Sequence, residues 1–209
     1  MYEENNRPLP PGNALQAFAP IFAEIRPTCA LQATPALTHE QVLFWAKRDL
    51  QERLCRISRR LLLPGSGLRC IEKLERLIEL SNQGVSCILC LNHRSNLDVP
   101  TLCTLLHDHS KADLFDKMIW IAGRKLQEDR GMTGLLVQAF NRVVVTPRTW
   151  SEATHSTEEV QQAHLINMAA HRIIHEYRQR GFVFALFPGG TRIRPGKAST
   201  TRAIPETDS

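Results

Sequence analysis

The sequence has no long hydrophobic run. Its longest uninterrupted apolar stretch covers the six residues from Phe182 to Phe187, whereas a helix that crosses a bilayer needs about 20 apolar residues. The first 13 residues are polar and have neither the apolar segment of a secretory signal nor the Arg-rich amphipathic pattern of a transit peptide. We therefore expect a cytoplasmic protein that is soluble or peripherally membrane-associated, without a transmembrane segment or signal peptide.

Aromatic residues are also few, at 6% of the chain. The formal net charge of +5 and the pI of about 9.1 indicate an anionic partner. Charge by itself does not distinguish nucleic acid from an anionic membrane surface or a phosphorylated small substrate. Nucleic acid is the weakest of the three, because the few aromatic residues are not interleaved with the cations as base stacking requires.

Metal-binding patterns are scarce. The six cysteines include one pair with C-x-x-C spacing, Cys87 and Cys90, within the apolar run 85–91. If that run is a strand, the two thiols point to opposite faces and share neither a metal ion nor a disulfide. No second pair completes a zinc site, and His107 and His109 have no further ligands at metal-binding spacing. We predict buried free thiols in a reducing cytosol, no metal and no cofactor.

Turn residues and apolar periodicity divide the chain into parts. Residues 1–13 are rich in Pro and Asn and are predicted to be a flexible tail, and residues 14–83 are predicted to form a small helical subdomain. In this subdomain Thr38 and Gln41 match a capping box, and apolar residues then recur with a helical period until Pro64. The opposite face of this predicted helix is basic, which fits either a solvated surface or docking on a membrane or an acidic carrier protein.

Strand-like and helical segments alternate after residue 84, which predicts an α/β domain over residues 84–209. The predicted fold is a mixed, largely buried sheet that is flanked by helices and preceded by the helical subdomain. The predicted strands cover residues 87–91, 118–122, 143–146 and 182–187, and the predicted helices cover residues 98–107, 132–140 and 157–180.

The segment from Asn92 to Pro100 joins a predicted strand to a predicted helix and carries His93 and Asp98. On one continuous helix a spacing of five would turn these side chains about 140° apart, whereas a tight turn lets them face each other. A carboxylate that holds one imidazole nitrogen leaves the other nitrogen to accept a proton from a substrate hydroxyl. The alternative to a catalytic role is a purely structural one. Asp98 also suits the N-cap of the predicted helix, and Pro100 suits its first turn.

A second segment follows the last predicted strand and reads PGGTRIRPGK over residues 188–197. Its glycines let the backbone approach a ligand closely, and its three cations suit a phosphate. It is not a P-loop, because the spacing G-x-x-x-x-G-K-[ST] is absent. Taken alone, an Arg-rich turn of this kind is more often a solvated loop.

Together the two segments resemble the glycerolipid acyltransferase family. The resemblance rests on N-H-x-x-x-x-D at residues 92–98 and F-P-x-G-T-R at residues 187–192. It implies that His93 is the general base, that Asp98 orients it, and that Arg192 binds the phosphate of the acceptor. It also implies a thioester donor, either acyl-CoA or acyl-carrier protein.

A weaker middle motif extends the resemblance to about residues 85–197. The segments GRKL at residues 123–126 and VVVTPR at residues 143–148 look like the family's phosphate-contacting region. The resemblance implies that Arg148 contacts the phosphate. The secondary basic candidates are Lys125 and Lys197.

One departure from the family pattern concerns the acceptor. Many members that acylate lysophosphatidate have Glu where this chain has Gly189, and the string PGGTRIRP is similar to the PSGGRxRP of soluble plastid-type and bacterial glycerol-3-phosphate acyltransferases. The resemblance then implies acyl transfer to the 1-hydroxyl of glycerol 3-phosphate in phospholipid biosynthesis, with Arg194 beside Arg192 in the phosphate pocket. Backbone N–H groups of one of the two turns are expected to stabilise the oxyanion. The candidates in the second turn are Gly189, Gly190 and Thr191.

Two alternatives to this function stay open. The first is a lysophosphatidate acyltransferase. The second is a non-catalytic acyl-CoA or lipid-binding protein, because the family has a further strand and a Pro-containing motif beyond the point where this chain ends, Ser209. We therefore expect an α/β domain that is truncated at its C-terminus.

Overall fold

The computed structural model describes residues 36–147 and 156–190. In these residues five strands form one sheet: β1, Leu43–Phe44; β2, Ile88–Cys90; β3, Met118–Gly123; β4, Arg142–Val145; and β5, Val183–Leu186. Across the sheet the order is β1-β4-β3-β5-β2. The edge strand β1 runs antiparallel to β4, and all other neighbours are parallel.

Helices connect the strands. They are α1, Arg48–Leu61; α2, Ile71–Asn82; α3, Asp98–Asp108; α4, Ala112–Asp116; α5, Arg124–Glu128; α6, Met132–Leu136, continued by a 3-10 turn; and α7, Thr157–Gln179. Helix α7 begins where it does because Ser156 and Glu159 form a capping box. Parallel strands joined by helical crossovers are the hallmark of an α/β fold, so the predicted fold class is confirmed.

Successive side chains of each central strand are buried on opposite faces of the sheet. Trp120 and Ala185 belong to the hydrophobic cluster that packs α1, α2 and α3. Ile119 and Phe184 belong to the cluster that packs α7 on the other face. This period of two, with both faces apolar, is what a sheet covered by helices on two sides requires.

The edge strand β2 is the exception to the largely buried sheet. Ile88 is 60% exposed, and Cys90 is exposed whereas Cys87 is buried. The two thiols thus differ in environment as predicted, and the cysteines within the described residues are free. The prediction that free thiols are buried is wrong for Cys70 and Cys90, because Cys70 precedes α2 at the surface and Cys90 lies on an edge strand.

The segment before α1 differs from the predicted helix start at Thr38. Gln41 donates its backbone N–H to the carbonyl oxygen of Thr38 at 3.1 Å and to its hydroxyl oxygen at 3.2 Å, which closes a turn. The chain then forms β1, and the N–H of Val144 donates to the carbonyl oxygen of Val42 at 2.9 Å. Pairing with β4 outweighs the helical periodicity, so α1 begins only at Arg48.

The described part of the predicted helical subdomain shares its core with the rest of the chain. Strand β1 belongs to the sheet, and α1 and α2 pack in the same hydrophobic cluster as α3. Residues 1–35, which include the predicted tail, lie outside the described residues. The domain boundary at residue 84 stays a prediction.

The basic face of α1 is partly neutralised by neighbouring carboxylates. Arg48 pairs with Asp116 at 2.5 Å, and Arg59 pairs with Asp108 of α3. Ion pairs at such exposed positions contribute about 0–1 kcal/mol each, so they do not decide between a solvated face and a docking face. No helix in the two described ranges has the length and apolar character needed to cross a membrane.

Helices α1 and α3 meet at a pair of thiols. The Sγ atoms of Cys55 and Cys103 lie 3.5 Å apart. The hydrogen bond with Cys103 lowers the pKa of Cys55 to about 7, and the same bond together with burial raises the pKa of Cys103. One thiol of the pair therefore ionises well before the other.

Asn141 ties three backbone segments together, and its replacement tests the fold. Its side chain accepts from the N–H of Ala46 at 3.0 Å and donates to the carbonyl oxygens of Asp116 at 3.1 Å and Met118 at 3.3 Å. We expect Asn141→Ala to lower the free energy of unfolding by about 2–4 kcal/mol, because each buried backbone group left without a partner costs about 1–3 kcal/mol. Urea-induced unfolding measures the change.

The matched control is Asn82→Ala at an exposed position of α2, which should change the free energy of unfolding by less than about 0.5 kcal/mol. An equally small change in Asn141→Ala would show that these bonds do not hold the segments together.

Candidate active site

The carboxyl ends of four parallel strands lie along one edge of the sheet. The pairs Cys90 with Leu186 and Gly123 with Val145 align the ends of β2 with β5 and of β3 with β4, and β3 in turn pairs with β5. In open α/β sheets ligands bind at this edge, because the loops that follow the strands converge there. Every site residue predicted from the sequence follows one of these four strands.

The loop after β2 brings His93 and Asp98 together. Nδ1 of His93 lies 2.9 Å from Oδ2 of Asp98, and the two side chains are 20% and 21% exposed. Because an ionised carboxylate only accepts hydrogen bonds, we assign the ring proton to Nδ1, which leaves Nε2 as the nitrogen that accepts a proton. The two side chains therefore face each other across the turn, with one nitrogen held and the other available.

Backbone groups of the same loop hold the Asp98 carboxylate. The N–H of Arg94 donates to Oδ2 at 2.8 Å, and the N–H of Ser95 donates to Oδ1 at 3.0 Å and to Oδ2 at 2.9 Å. Helix α3 begins at Asp98, and its N-cap residue, Leu97, makes no side-chain cap. The N-cap alternative for Asp98 is thus wrong, because its carboxylate accepts from the loop before the helix and not from the first helical turn.

His93 stacks on Phe187, the residue that follows β5. The two ring centroids lie 4.2 Å apart with 18° between the ring planes, and the ring of Trp120 lies 5.6 Å from that of Phe187. This stacking restricts rotation of the imidazole, while the bond to Asp98 selects its tautomer. The first sequence motif is therefore in direct contact with the first residue of the second motif.

After Phe187 the chain turns back through Pro188 and Gly189. The N–H of Gly190 donates to the carbonyl oxygen of Phe187 at 2.9 Å, and Gly190 adopts a φ of +64°, a conformation that favours glycine. The N–H of Gly190 is thus committed to the turn, whereas that of Gly189 has no hydrogen-bond partner among the residues that the structure describes. The four predicted site residues that follow in this second motif lie outside the described residues: Thr191, Arg192, Arg194 and Lys197.

The middle motif begins at the end of β3. Lys125 is exposed on α5, directly behind the strand. Its neighbour Arg124 is engaged with Glu128 one turn later, at 2.6 Å. Lys125 is therefore the cation of this helix that faces solvent next to the sheet edge.

The end of β4 is held by Asn167 of α7. Its Oδ1 accepts from the N–H of Thr146 at 2.8 Å, and its Nδ2 donates to the carbonyl oxygen of Thr146 at 3.0 Å. Arg148, two positions further along the chain, lies outside the described residues. The pair of bonds fixes the backbone at Thr146, the residue that follows β4.

Two residues of this arrangement were missed from the sequence. Phe187 stands inside the second motif, but its contact with His93 follows from the parallel pairing of β2 and β5. Asn167 lies in the middle of a long helix, where a polar residue gives no local signal. Both act through positions that are distant in sequence, which residue patterns alone do not reveal.

The family model described as Acyltransferase matches residues 71–203. This chain belongs to the acyltransferase family. The matched span contains both motifs and the four parallel strands, so the family-level part of the resemblance is confirmed. The family indicates an enzyme that transfers acyl groups in lipid biosynthesis. No match to an individual curated protein was found.

In the described residues of this acyltransferase, no protein nucleophile is hydrogen-bonded to His93. Within residues 36–147 and 156–190, the ring of His93 is hydrogen-bonded to Asp98 and to no Ser, Thr or Cys side chain. In general, a His held by a carboxylate is suited to accepting a proton from a nearby hydroxyl.

The tautomer of His93 is a test of this geometry that needs no substrate. We expect the neutral ring to carry its proton on Nδ1 and Asp98→Asn to increase the Nε2–H form, because the ionised acceptor for Nδ1–H is gone. Long-range ¹H–¹⁵N spectra of the neutral ring distinguish the two forms. Asp49→Asn, at an exposed position of α1, should leave the His93 signals unchanged. Identical His93 signals in Asp98→Asn and the unmodified protein would contradict the assignment.

Proposed function

We propose that this acyltransferase moves a fatty acyl group from a thioester donor to the 1-hydroxyl of glycerol 3-phosphate, a step of phospholipid biosynthesis. The observation that carries the proposal is the 2.9 Å contact between His93 Nδ1 and Asp98 Oδ2. The Asp98 carboxylate is itself held by backbone N–H groups, so the imidazole is oriented before the substrate arrives. A base that is already oriented lowers the barrier to removing a proton from a positioned hydroxyl.

The proposed reaction has two steps and returns His93 to its starting state. Nε2 of His93 takes the proton of the acceptor hydroxyl while the hydroxyl oxygen bonds to the thioester carbonyl carbon, and the carbonyl electrons move onto its oxygen. Asp98 stabilises the imidazolium that forms. When the tetrahedral intermediate collapses, the C–S bond breaks and the imidazolium protonates the leaving thiolate. The proposed reaction uses no cofactor and forms no acyl-enzyme intermediate.

The second turn is the better source of a donor for the oxyanion. In the first turn the N–H groups of Arg94 and Ser95 are bound to the Asp98 carboxylate. In the second turn the N–H of Gly190 closes the turn, which leaves the N–H of Gly189 as the candidate within the described residues; Thr191 lies outside them and stays a candidate. We assign to Gly189 the hydrogen bond that strengthens as negative charge develops on the carbonyl oxygen.

In this proposal Arg148, Arg192 and Arg194 hold the phosphate of the acceptor. The support is topological, since Arg148 follows the end of β4 and both other arginines follow the end of β5. The ends of β4 and β5 lie on the same sheet edge as the His93 loop, and guanidinium groups bind phosphate through paired hydrogen bonds. Lys125 and Lys197 are secondary contributors of positive charge.

The proposal also covers the surroundings of the reaction. The donor is acyl-CoA or an acyl-carrier protein, and the protein works in the cytoplasm, either soluble or peripherally associated with a membrane. The net charge of +5 supports such peripheral association, because basic surfaces are attracted to anionic lipid. Nucleic acid is not a partner in this proposal.

Replacing the proposed base tests the mechanism. We expect His93→Ala to abolish transfer to glycerol 3-phosphate, with kcat lowered by at least about 10²–10⁴-fold, the usual contribution of a general base. Release of free thiol from acyl-CoA measures the rate. His109→Ala is the control, since His109 is exposed at the end of α3 and its Nδ1 contacts the carbonyl oxygen of Leu105. Near-normal turnover in His93→Ala would contradict the mechanism.

Replacing a proposed phosphate ligand tests the acceptor. We expect Arg192→Ala to raise the KM for glycerol 3-phosphate by about 10–100-fold, because a charged hydrogen bond contributes about 1.5–3 kcal/mol. Arg202→Ala, beyond the motif, should leave that KM unchanged. An unchanged KM in Arg192→Ala would contradict the role of Arg192 in binding the phosphate.

Two other outcomes would favour the alternative functions. A higher kcat/KM with lysophosphatidate than with glycerol 3-phosphate would reassign the acceptor, and acyl-CoA binding without turnover would favour a non-catalytic binding protein.

A further inference from the structure

A second group of reactive side chains lies between α1 and α3, away from the sheet edge. Cys55 belongs to α1, while Cys103 and His107 belong to α3. The spacing of four residues puts Cys103 and His107 on one face of their helix, and that face meets Cys55. The two Sγ atoms lie 3.5 Å apart, and one ligand atom from each of the three residues lies within 4.8 Å of the others.

The His107 side chain is incompletely satisfied in this position. Its Nε2 is buried and has no hydrogen-bond partner among the residues that the structure describes. Cys55 and Cys103 are 5% and 2% exposed. Burying a polar nitrogen without a partner is unfavourable by about 1–3 kcal/mol, so a ligand that this nitrogen binds would stabilise the fold.

The two helices hold these side chains in a defined arrangement. The hydroxyl of Thr104 donates to the carbonyl oxygen of Pro100 at 2.8 Å and lies 3.4 Å from that of Cys55. Arg59 of α1 forms an ion pair with Asp108 of α3. The ligand atoms are therefore presented by two packed and cross-linked helices, and such preorganisation favours binding.

We propose that Cys55, Cys103 and His107 bind a thiophilic divalent cation of the Zn²⁺ class. Two thiolates and one imidazole are the ligand types that Zn²⁺ prefers, and the two thiolate charges neutralise the buried dication. With Zn–S distances of about 2.3 Å, the sulfurs of a tetrahedral site lie about 3.8 Å apart. The observed sulfur–sulfur separation of 3.5 Å is close to this value.

The metal acts on the structure and takes no part in acyl transfer. Helix α3 carries Asp98 at its first position and Cys103 five residues later. An ion that clamps Cys103 and His107 to α1 also fixes the helix from which Asp98 orients His93. Sequence spacing did not reveal this site, because the third ligand, Cys55, lies 48 residues before Cys103.

A disulfide between the two cysteines is the competing explanation. It requires an oxidant and a sulfur–sulfur distance of about 2.05 Å, whereas the thiols are free and 3.5 Å apart. It would also leave Nε2 of His107 without a partner. The metal accounts for all three side chains at once.

Cobalt binding by the purified, reduced full chain tests the proposal, with Co²⁺ as the probe and Zn²⁺ as the competitor. We expect one Co²⁺ per chain, with the intense visible bands of tetrahedral cobalt and sulfur-to-cobalt charge transfer in the near ultraviolet. Zn²⁺ should displace the cobalt stoichiometrically.

We expect Zn²⁺ to raise the Tm, since ligands of the native state stabilise it. His107→Gln should weaken Co²⁺ binding by at least about 100-fold, beyond the effect usual for outer partners of a ligand, and Cys103→Ser should abolish the charge-transfer band.

The controls are His109→Gln and Cys90→Ser, which change an exposed histidine and an exposed cysteine outside the cluster and should bind Co²⁺ as the unmodified protein does. His107 is partly exposed, so His107→Gln is the variant that tests the site if Cys103→Ser does not fold. A reduced chain that takes up neither ion, or a cobalt spectrum that is unchanged in His107→Gln, would overturn the proposal.

Discussion

The parallel pairing of β5 with β2 on one side and with β3 on the other is the constraint on which the candidate site depends. It places the residue after β5, Phe187, against the loop after β2, where His93 stacks on it with ring centroids 4.2 Å apart. Parallel strands end at the same edge, so the loops after all four of them meet there. The acid–base pair and the glycine turn thus become neighbours although they are far apart in sequence.

Two backbone N–H groups of the loop after β2 donate hydrogen bonds to one carboxylate. The N–H groups of Arg94 and Ser95 both bind Asp98, which therefore orients His93 and does not cap α3. In the proposed mechanism the oxyanion donor is therefore assigned to Gly189 of the second turn and not to the first loop.

The packing of α1 against α3 helps to hold the helix that carries Asp98. The apolar residues Leu54 and Ile57 of α1 are fully buried, and the helix pair also brings Cys55 to Cys103 and His107. Since α3 starts at Asp98, whatever holds α3 in place also holds the orienting group of the proposed base. A metal ion between these helices would add to the hydrophobic contact at the point where the polar groups are otherwise poorly satisfied.

The sequence by itself determined the α/β class, most strand and helix positions and the pairing of His93 with Asp98, because these depend on local periodicity and on residues five apart. The prediction that a helix begins at residue 38 was wrong for residues 38–47, since β1 exists only through its pairing with β4. The tertiary structure alone decided that Asp98 accepts from the loop, that Phe187 supports His93, that Asn167 holds the end of β4, and that Cys55 joins Cys103 and His107. These contacts join residues through strand pairing and helix packing, and their energies depend on spatial neighbours that local sequence patterns do not encode.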